Sequence, residues 1–497
     1  MEEISLSMLT GRDIWMLATA IACTVFIFDD IIVDLLAFFK GKKAKEITPE
    51  QIKKMMSQPE RKISILTANW QEQDIIERIV AGNIGNIRYS NYDFILGVYP
   101  NDTATLEAAR RVEKRFKNVT VVVNTKNGPT SKGQMLNVMV DYLKSQDETG
   151  GFNKTEAILI QDSEDIIHPY ALKHLNMNLN DYDFVQTPVF SLEIPLTKLT
   201  AGIYIDEFIE AHTKDLLVRD HYKAGIPSAG VGTGMTWKAV KKVCELQGGK
   251  FLNENTLTED YHLGLTCHDL NIKSHFACDY FEVEDKESGE RRREYIATRE
   301  YFPDKVIPSI KQKTRWSLGI SLQGFEERKW KSVHAFERYF LWRDRKSLIN
   351  APLFTSALIF TIYMCLTFIN TGDWPSLDYT PLQGLFVGLM WANLMFSFFR
   401  IINRMRLVSS VYGIKTASLV PVRWILSNFI NTSCTYNAVY QWSSSKLSGE
   451  MPAWAKTEHM IPMGFGLDNK VILENEIPAQ PTQQAAEQAA QTENRPV

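Results

Sequence analysis

The sequence predicts an α/β fold with a mostly parallel sheet, bracketed by membrane-crossing and interfacial helices. Three observations carry this. Short apolar runs alternate with helix-period segments through residues 62–345, the pattern of βαβ units. Long apolar stretches flank that block at 13–39, 347–369 and 381–399. Polar residues follow several predicted strands, at the edge where such sheets bind ligands. The chain has 497 residues and a formal net charge of −3, a length for roughly two to four domains or layers. That balance gives nucleic acid no electrostatic footing. The six cysteines are scattered and form no CxxC pair, which argues against a zinc site or a disulfide framework.

Taken in order, residues 1–45 read as an N-terminal transmembrane anchor. "DIWMLATAIACTVFIFDDIIVDLLAFF" (13–39) is too long for a signal-peptide core and precedes no small-residue cleavage site. The basic run "KGKKAK" (40–45) puts residue 40 onward on the cytoplasmic side. Asp29, Asp30 and Asp34 are awkward for lipid; they lie near the cytoplasmic end, face other helices, or mark an intramembrane site. Residues 331–400 hold an interface helix and two further spans. Their link "NTGDWPSLDYT" has no Lys or Arg, whereas "RDRK" (343–346) and "RIINRMR" (400–406) are basic. Both outer ends therefore face the cytoplasm. Residues 401–465 read as amphipathic interfacial or re-entrant helices, because 416–442 is apolar yet carries Pro421, Arg423, Asn428 and Asn431. Residues 466–497 form a tail whose Gln/Ala/Glu/Pro-rich end predicts disorder.

Within the cytoplasmic block, 46–330, the strands "KISILTANW", "YDFILGVYP", "VTVVVNT" and "EAILIQD" alternate with helices. Asn69, Asp102, Asn127 and Asp162 mark their carboxyl ends. Four polar ends at matching positions make a nucleotide cleft plausible. Asp162-Ser163-Glu164 places two carboxylates one residue apart, which suits a hard divalent cation completed by phosphate oxygens. The same triplet fits a capped turn before the helix at "HPYALKHL", with Asp165 near its N-terminus. Lys132 opens a helix after "NTKNGP" and suits phosphate, or is a solvated surface residue. Thr258 is placed as an N-cap, with Glu259 and Asp260 in the first turn. An Asp held in a cleft is also what deprotonation of a sugar hydroxyl needs. Gln312, Arg315 and Trp316 share a helix face, where Arg can neutralise a pyrophosphate and Trp can stack on a sugar. The loop "SAGVGTG" (228–234) lacks the strand–helix context of a dinucleotide-binding turn.

Each feature is modest alone. Their order and spacing over residues 62–330, with spans on both sides, resemble the family 2 glycosyltransferases, in particular the processive, cellulose-synthase-like branch. "YPND", "GPTSKGQMLN", "DSEDIIHP", "IDEFIEAHTKDL", "LTEDYHLG", "QKTRW" and "PAWAKTEH" look like the inner-membrane members tied to bacteriophage N4 adsorption. The resemblance implies a GT-A-like nucleotide-diphospho-sugar transferase domain. It implies that Asn69, Glu72 and Asp102 hold the nucleoside, and that Lys132 and Arg315 meet the diphosphate. Asp162 and Glu164 would hold Mg²⁺ or Mn²⁺, with Glu164 standing where the family's DxD motif has its second Asp. That departure leaves Glu164 and Asp165 as competing ligands. Asp260 would be the base beside Glu259, with Gln312, Arg315 and Trp316 flanking diphosphate and acceptor. "VFSLEIP" and "GVGTG", including Gly232 and Thr233, would border the acceptor.

The implied function is inverting, processive transfer from a UDP-sugar, such as a UDP-N-acetylhexosamine, onto a growing polysaccharide exported across the bacterial inner membrane. The implied partners are the bilayer and an outer-membrane or periplasmic export protein. Relatives of this kind carry a C-terminal cyclic-di-GMP-binding domain, for which 466–497 offers no room, a departure that puts such regulation in doubt and leaves it open. Two other readings compete: transfer of one sugar to a polyprenyl phosphate, and a non-enzymatic adsorption scaffold. The chain-extending QxxRW pattern weighs against the first, and the intact carboxylate set against the second.

Overall fold

In a computed structural model, the structure describes residues 9–39, 41–149, 154–284, 289, 291–330 and 335–449. The expected disordered tail and "PAWAKTEH" lie outside these residues.

The chain enters through α1 (Gly11–Phe39) and then builds the sheet. β1 (Ile63–Ala68), α2 (Ile76–Asn86), β2 (Tyr92–Val98), α3 (Thr103–Arg115), β3 (Val119–Val123), α4 (Lys132–Glu148) and β4 (Ala157–Gln161) alternate as the sequence predicts. The strands are mostly apolar because both faces are covered. Leu66, Ile95, Ile158 and Ile160 pack on one side with Met135 and Met139 of α4. Ile63, Ile65, Phe94, Leu96 and Leu159 pack on the other with Val80 of α2 and Val112 of α3. Burying each such side chain contributes about 1.5–3 kcal/mol. Local signals start the helices: Ser131 accepts from the Gln134 amide at 3.2 Å to cap α4.

Beyond β4 the sheet stays mostly parallel, as expected, but takes in one reversed strand. β5 (Phe184–Gln186), β6 (Thr233–Thr236) and β7 (Ser274–Phe276) complete a seven-stranded sheet of order β3-β2-β1-β4-β6-β5-β7. β6 runs antiparallel to both β4 and β5, while β5 and β7 are parallel. The sheet is therefore mixed, with a single reversed strand wedged beside β4. The cause is β6 itself, "TGMT", whose Gly and shortness give it no periodicity of its own.

Further helices include α5 (Leu199–Glu210), α6 (Glu259–Asp269), α7 (Val306–Trp316), α8 (Ala335–Arg345), α9 (Ser347–Thr371), α10 (Gln383–Ala417) and α11 (Val420–Ser448). π-Helical turns extend α5 through Ala211–Asp215 and α7 through Ser317–Gln323, a form frequent at functional sites. Ser347–Thr371 and Thr380–Ala417 are long and apolar enough to cross a membrane. The charged α1 is not among such helices, but Met16, Leu17 and Ala20 pack it against Phe360 of α9 and Phe386 of α10. Apolar side chains such as Ile362, Ile369, Trp391 and Phe398 lie exposed on α9 and α10, as a lipid-facing surface requires. α10 continues through Arg400 and kinks at Gly413, which takes φ +79°.

The aspartates of α1 face other helices. Asp34 bonds Lys214 at 2.5 Å and Arg400 at 2.8 Å. Glu210 bonds Lys214 at 2.8 Å and Arg400 at 2.5 Å, and pairs with Arg404. Asp29 and Asp30 bond Arg343 and Lys346. Such charges tolerate burial only because each has a partner.

Candidate active site

The carboxyl ends of β1 and β4 open into one cleft of about 500 Å³. Asn69 and Glu72 enter from the loop after β1, and Asp162, Ser163 and Glu164 from the turn after β4. Lys132 comes from the start of α4, Glu259 and Asp260 from the start of α6, and Gln312, Arg315 and Trp316 from the end of α7. Segments far apart in sequence thus converge where the sheet topology puts a ligand, and the volume is ordinary for a small-molecule site.

Lys132 is the electrostatic centre. It pairs with Asp162 and donates to the Gly230 carbonyl at 3.0 Å. Burial pulls its ammonium down, but Asp162, Glu259 and Asp260 together carry it above its ordinary value. Burial pushes Glu259 up to about 7, helped by Asp260 and opposed by Lys132 and Arg315. Asp260 is raised for the same first reason, with Lys132, the Tyr261 amide and Arg315 pulling it back. A carboxylate held above its usual range, yet kept anionic by nearby cations, suits proton abstraction. Gly230 makes room for it: the residue has φ +79°, and a Cβ there would collide with the Asp260 carboxylate. Gln312 Oε1 and Arg315 Nε are buried without hydrogen-bond partners among the described residues. Polar atoms left in this state in a cleft wall are suited to a bound ligand. Trp316 is held edge-on by Tyr204 and Phe208, with centroids 6.1 and 6.0 Å away.

Not every expected residue arrives. Asp102 does not line the cleft; it accepts from the Gln71 amide at 2.5 Å and from Thr105 at the start of α3. It therefore braces the loop that carries Asn69 and Glu72. Gly232 and Thr233 also stay outside. Thr233 is fully buried in β6, where its hydroxyl bonds Gln186 and Ser228 at 2.7 Å, and Thr187 and Thr298 crowd Gly232. An acceptor cannot touch either without displacing the sheet; Pro227, Ser228 and Ala229 of the same loop form the wall instead. Asn127 is exposed, because β3 ends at Val123 and buried Asn124 follows it. Thr258 occupies the N-cap position of α6 without making a capping bond, and its hydroxyl is buried without a partner among the described residues.

Trp70, within the Asn69–Glu72 loop expected at the nucleoside, meets Tyr99 edge to face at 5.2 Å. Tyr99 was not anticipated; its only sequence signal is an aromatic directly after β2. Phe208 and His212, and at the far end Arg219, Arg343 and Asp344, complete the wall, and nothing local in the sequence marks them.

Asp162 and Glu164 both line the cleft, and their oxygens are the donor type hard divalent cations prefer. Among the described residues no three His, Cys, Asp or Glu side chains gather into a metal cage. A cation held here needs ligand oxygens to complete its shell. Asp165 fits this role less well, since its Oδ2 accepts from the Asp162 amide at 2.7 Å. Burial, with Glu300, Asp162 and Glu164 nearby, pushes Asp165 well above the carboxylate range.

Comparison with known proteins agrees with this geometry. Residues 59–319 match "glycosyltransferase like family 2". Bacteriophage adsorption protein B of Escherichia coli K12 is 30% identical over 495 residues, covering 93% of this chain and 66% of that protein. Bacteriophage N4 adsorption protein B of E. coli O157:H7 matches to the same extent. The chain thus spans just under two thirds of the length of these relatives. Among solved structures, a mannosyltransferase from Pyrobaculum calidifontis in complex with GDP-Man and Mn²⁺ is similar at TM-score 0.48 and 11% identity, covering 86% of this chain and 99% of that one. With a family match over more than half its length and a GT-A-like mixed sheet opening into the site, the chain belongs to the family 2 glycosyltransferases.

Proposed function

We propose that the protein is a processive, inverting membrane glycosyltransferase that extends a polysaccharide from a UDP-sugar, such as a UDP-N-acetylhexosamine, at the cytoplasmic face of a bacterial inner membrane. The observation that carries this reading is the convergence of Lys132, Asp162, Glu164, Asp260, Arg315 and Trp316 on one cleft in a chain of this family. Two helices apolar enough to cross a membrane follow the catalytic block, which supports coupling synthesis to export. A relative named for bacteriophage adsorption fits a product presented beyond that membrane, through an export partner in the periplasm or outer membrane.

In this mechanism Trp70 and Tyr99 offer ring surface to the base, beside Asn69 and Glu72. Lys132 and Arg315 face the diphosphate, and Trp316 supports the acceptor sugar. Asp260 takes the proton from the acceptor hydroxyl. That oxygen bonds the anomeric carbon from the side opposite the leaving group, and the carbon–oxygen bond to the diphosphate breaks with inversion. Lys132 and Arg315 meet the negative charge that develops on the departing nucleoside diphosphate. A Mg²⁺ or Mn²⁺ ion held by Asp162 and Glu164 would add positive charge at the same oxygens.

The test is a panel of labelled UDP-sugars given to the full chain in nanodiscs with Mg²⁺ or Mn²⁺, reading released UDP and product size together, with Asp260→Asn as the blank. A metal-dependent ladder from one sugar, absent in the variant, is the expected result. One sugar on a polyprenyl phosphate would replace processivity with single transfer. No turnover on any donor, with folded protein, would favour a scaffold.

A further inference from the structure

The run Arg343-Asp344-Arg345-Lys346 has the sequence of a basic membrane flank. In the fold its side chains face two ways. Arg343 bonds Asp29 and Asp30 of α1 at 2.5 and 3.1 Å, and Lys346 bonds the same pair at 2.9 Å each. Asp344 turns toward the catalytic cleft. Its Oδ2 accepts from the Tyr261 hydroxyl at 2.7 Å, and Arg219 Nη1 bonds its two oxygens at 2.9 and 3.0 Å.

Tyr261 follows Asp260 directly and is 4% exposed. Its backbone amide donates to Asp260 Oδ1 at 2.7 Å. The two ends of one residue therefore touch the candidate base and Asp344. The first turn of α6 also lacks its usual local fixing, because the Thr258 hydroxyl makes no capping bond. Ties from other helices hold that turn instead: His262 pairs with Glu327 at 2.7 Å, and the Tyr261–Asp344 bond is the one made by the residue next to Asp260.

We infer that Asp344 is a positioning residue for glycosyl transfer: through Tyr261 it fixes the first turn of α6 and so the direction of the Asp260 carboxylate. The inference rests on the reading of Asp260 as the base. A buried phenol needs an acceptor, and a carboxylate is a strong one. Arg219 fixes the rotation of that carboxylate, while Arg343 and Lys346 fasten the end of α8 to α1. A small misdirection of a base lowers turnover strongly while leaving donor affinity alone.

Full-length Asp344→Asn and Tyr261→Phe in nanodiscs test this in two ways. Hydrogen exchange at amides 259–265 should quicken severalfold in both variants, with β4 unchanged. In the donor assay kcat should fall about tenfold, with donor KM and UDP affinity within about twofold; Asp344→Glu should recover part of the loss. Unchanged exchange in α6, or faster exchange spreading into β4, overturns the inference whether or not a donor has been found. Normal kcat in Asp344→Asn beside an inactive Asp260→Asn overturns it alone. Full turnover by Asp260→Asn would instead remove the reading of the base, and the exchange result would still judge the tie.

Discussion

Arg423→Met is the sharpest test of how the C-terminal helix is held to the catalytic block. Arg423 of α11 and Asp206 of α5 are both 2% exposed. They are joined by Nε–Oδ2 at 2.8 Å and Nη2–Oδ1 at 2.6 Å, with a third bond from Nη2 to the Thr416 carbonyl at 2.8 Å. Removing one member of a buried pair costs about 3–5 kcal/mol. The orphaned carboxylate limits this, because it can escape by binding a proton. Against an unfolded carboxyl near 3.9, holding Asp206 neutral costs about 1.4 kcal/mol per pH unit, so about 5.6 kcal/mol at pH 8, 2.9 at pH 6 and 1.5 at pH 5. The sign follows from burial, which already raises Asp206 in the native protein despite Arg423. A raised folded pKa penalises stability above it and releases the penalty as pH falls through it. Thermal unfolding followed by tryptophan fluorescence should therefore show Arg423→Met strongly destabilised at pH 8 and close to native at pH 5. The double variant Asp206→Leu/Arg423→Met should recover most of the loss at pH 8, because it buries no charge. An equal deficit at both pH values, or a double variant as weak as the single one, would refute the reasoning.

Thr233→Val removes a hydroxyl buried between Gln186 and Ser228; it should cost about 1–3 kcal/mol of stability and leave acceptor KM unchanged, as a strand residue and not a subsite residue would. Glu259→Gln should gain stability relative to the native protein as pH rises from the ordinary carboxyl value toward about 7 and level off above it, because over that range the unfolded chain ionises while the buried side chain keeps its proton; a pH-independent difference in melting temperature would contradict this. Gly230→Ala meets both a positive φ and the Asp260 carboxylate; a strain of roughly 1–2 kcal/mol should accompany a kcat loss far larger than the change in melting temperature.

Legibility in the sequence followed the range of the signal. The strands β1 to β4 could be read because each packs on both faces and so is rich in apolar residues. Lys132, Asp162 and Asp260 could be placed because each follows a strand end or opens a helix, where backbone geometry aims side chains outward from the sheet. Thr233 misled because its glycine-rich setting looks like a loop, while long-range pairing makes it the reversed strand β6. Asn127 misled because the strand stops at Val123 and buried Asn124 takes the place expected of it, bonding Gln134 at 2.6 Å. Asp344 gave no signal: its role exists only because α6, α8 and the segment after α5 meet.

The charge pairing of α1 also sets an order of events. Asp29 and Arg343 are separated by 314 residues, which take roughly a quarter of a minute to a minute to synthesise. Throughout that interval Asp29 and Asp30 lack the cations that later neutralise them, and Asp34 has only Lys214, made 180 residues after it. Deep insertion of the helix would be costly during that wait. Final seating of α1 against its partners can come only once Arg343, Lys346 and Arg400 have emerged. Helix α1 thus waits for residues made more than 300 positions later, and a ribosome stalled before Arg343 should leave it loosely held.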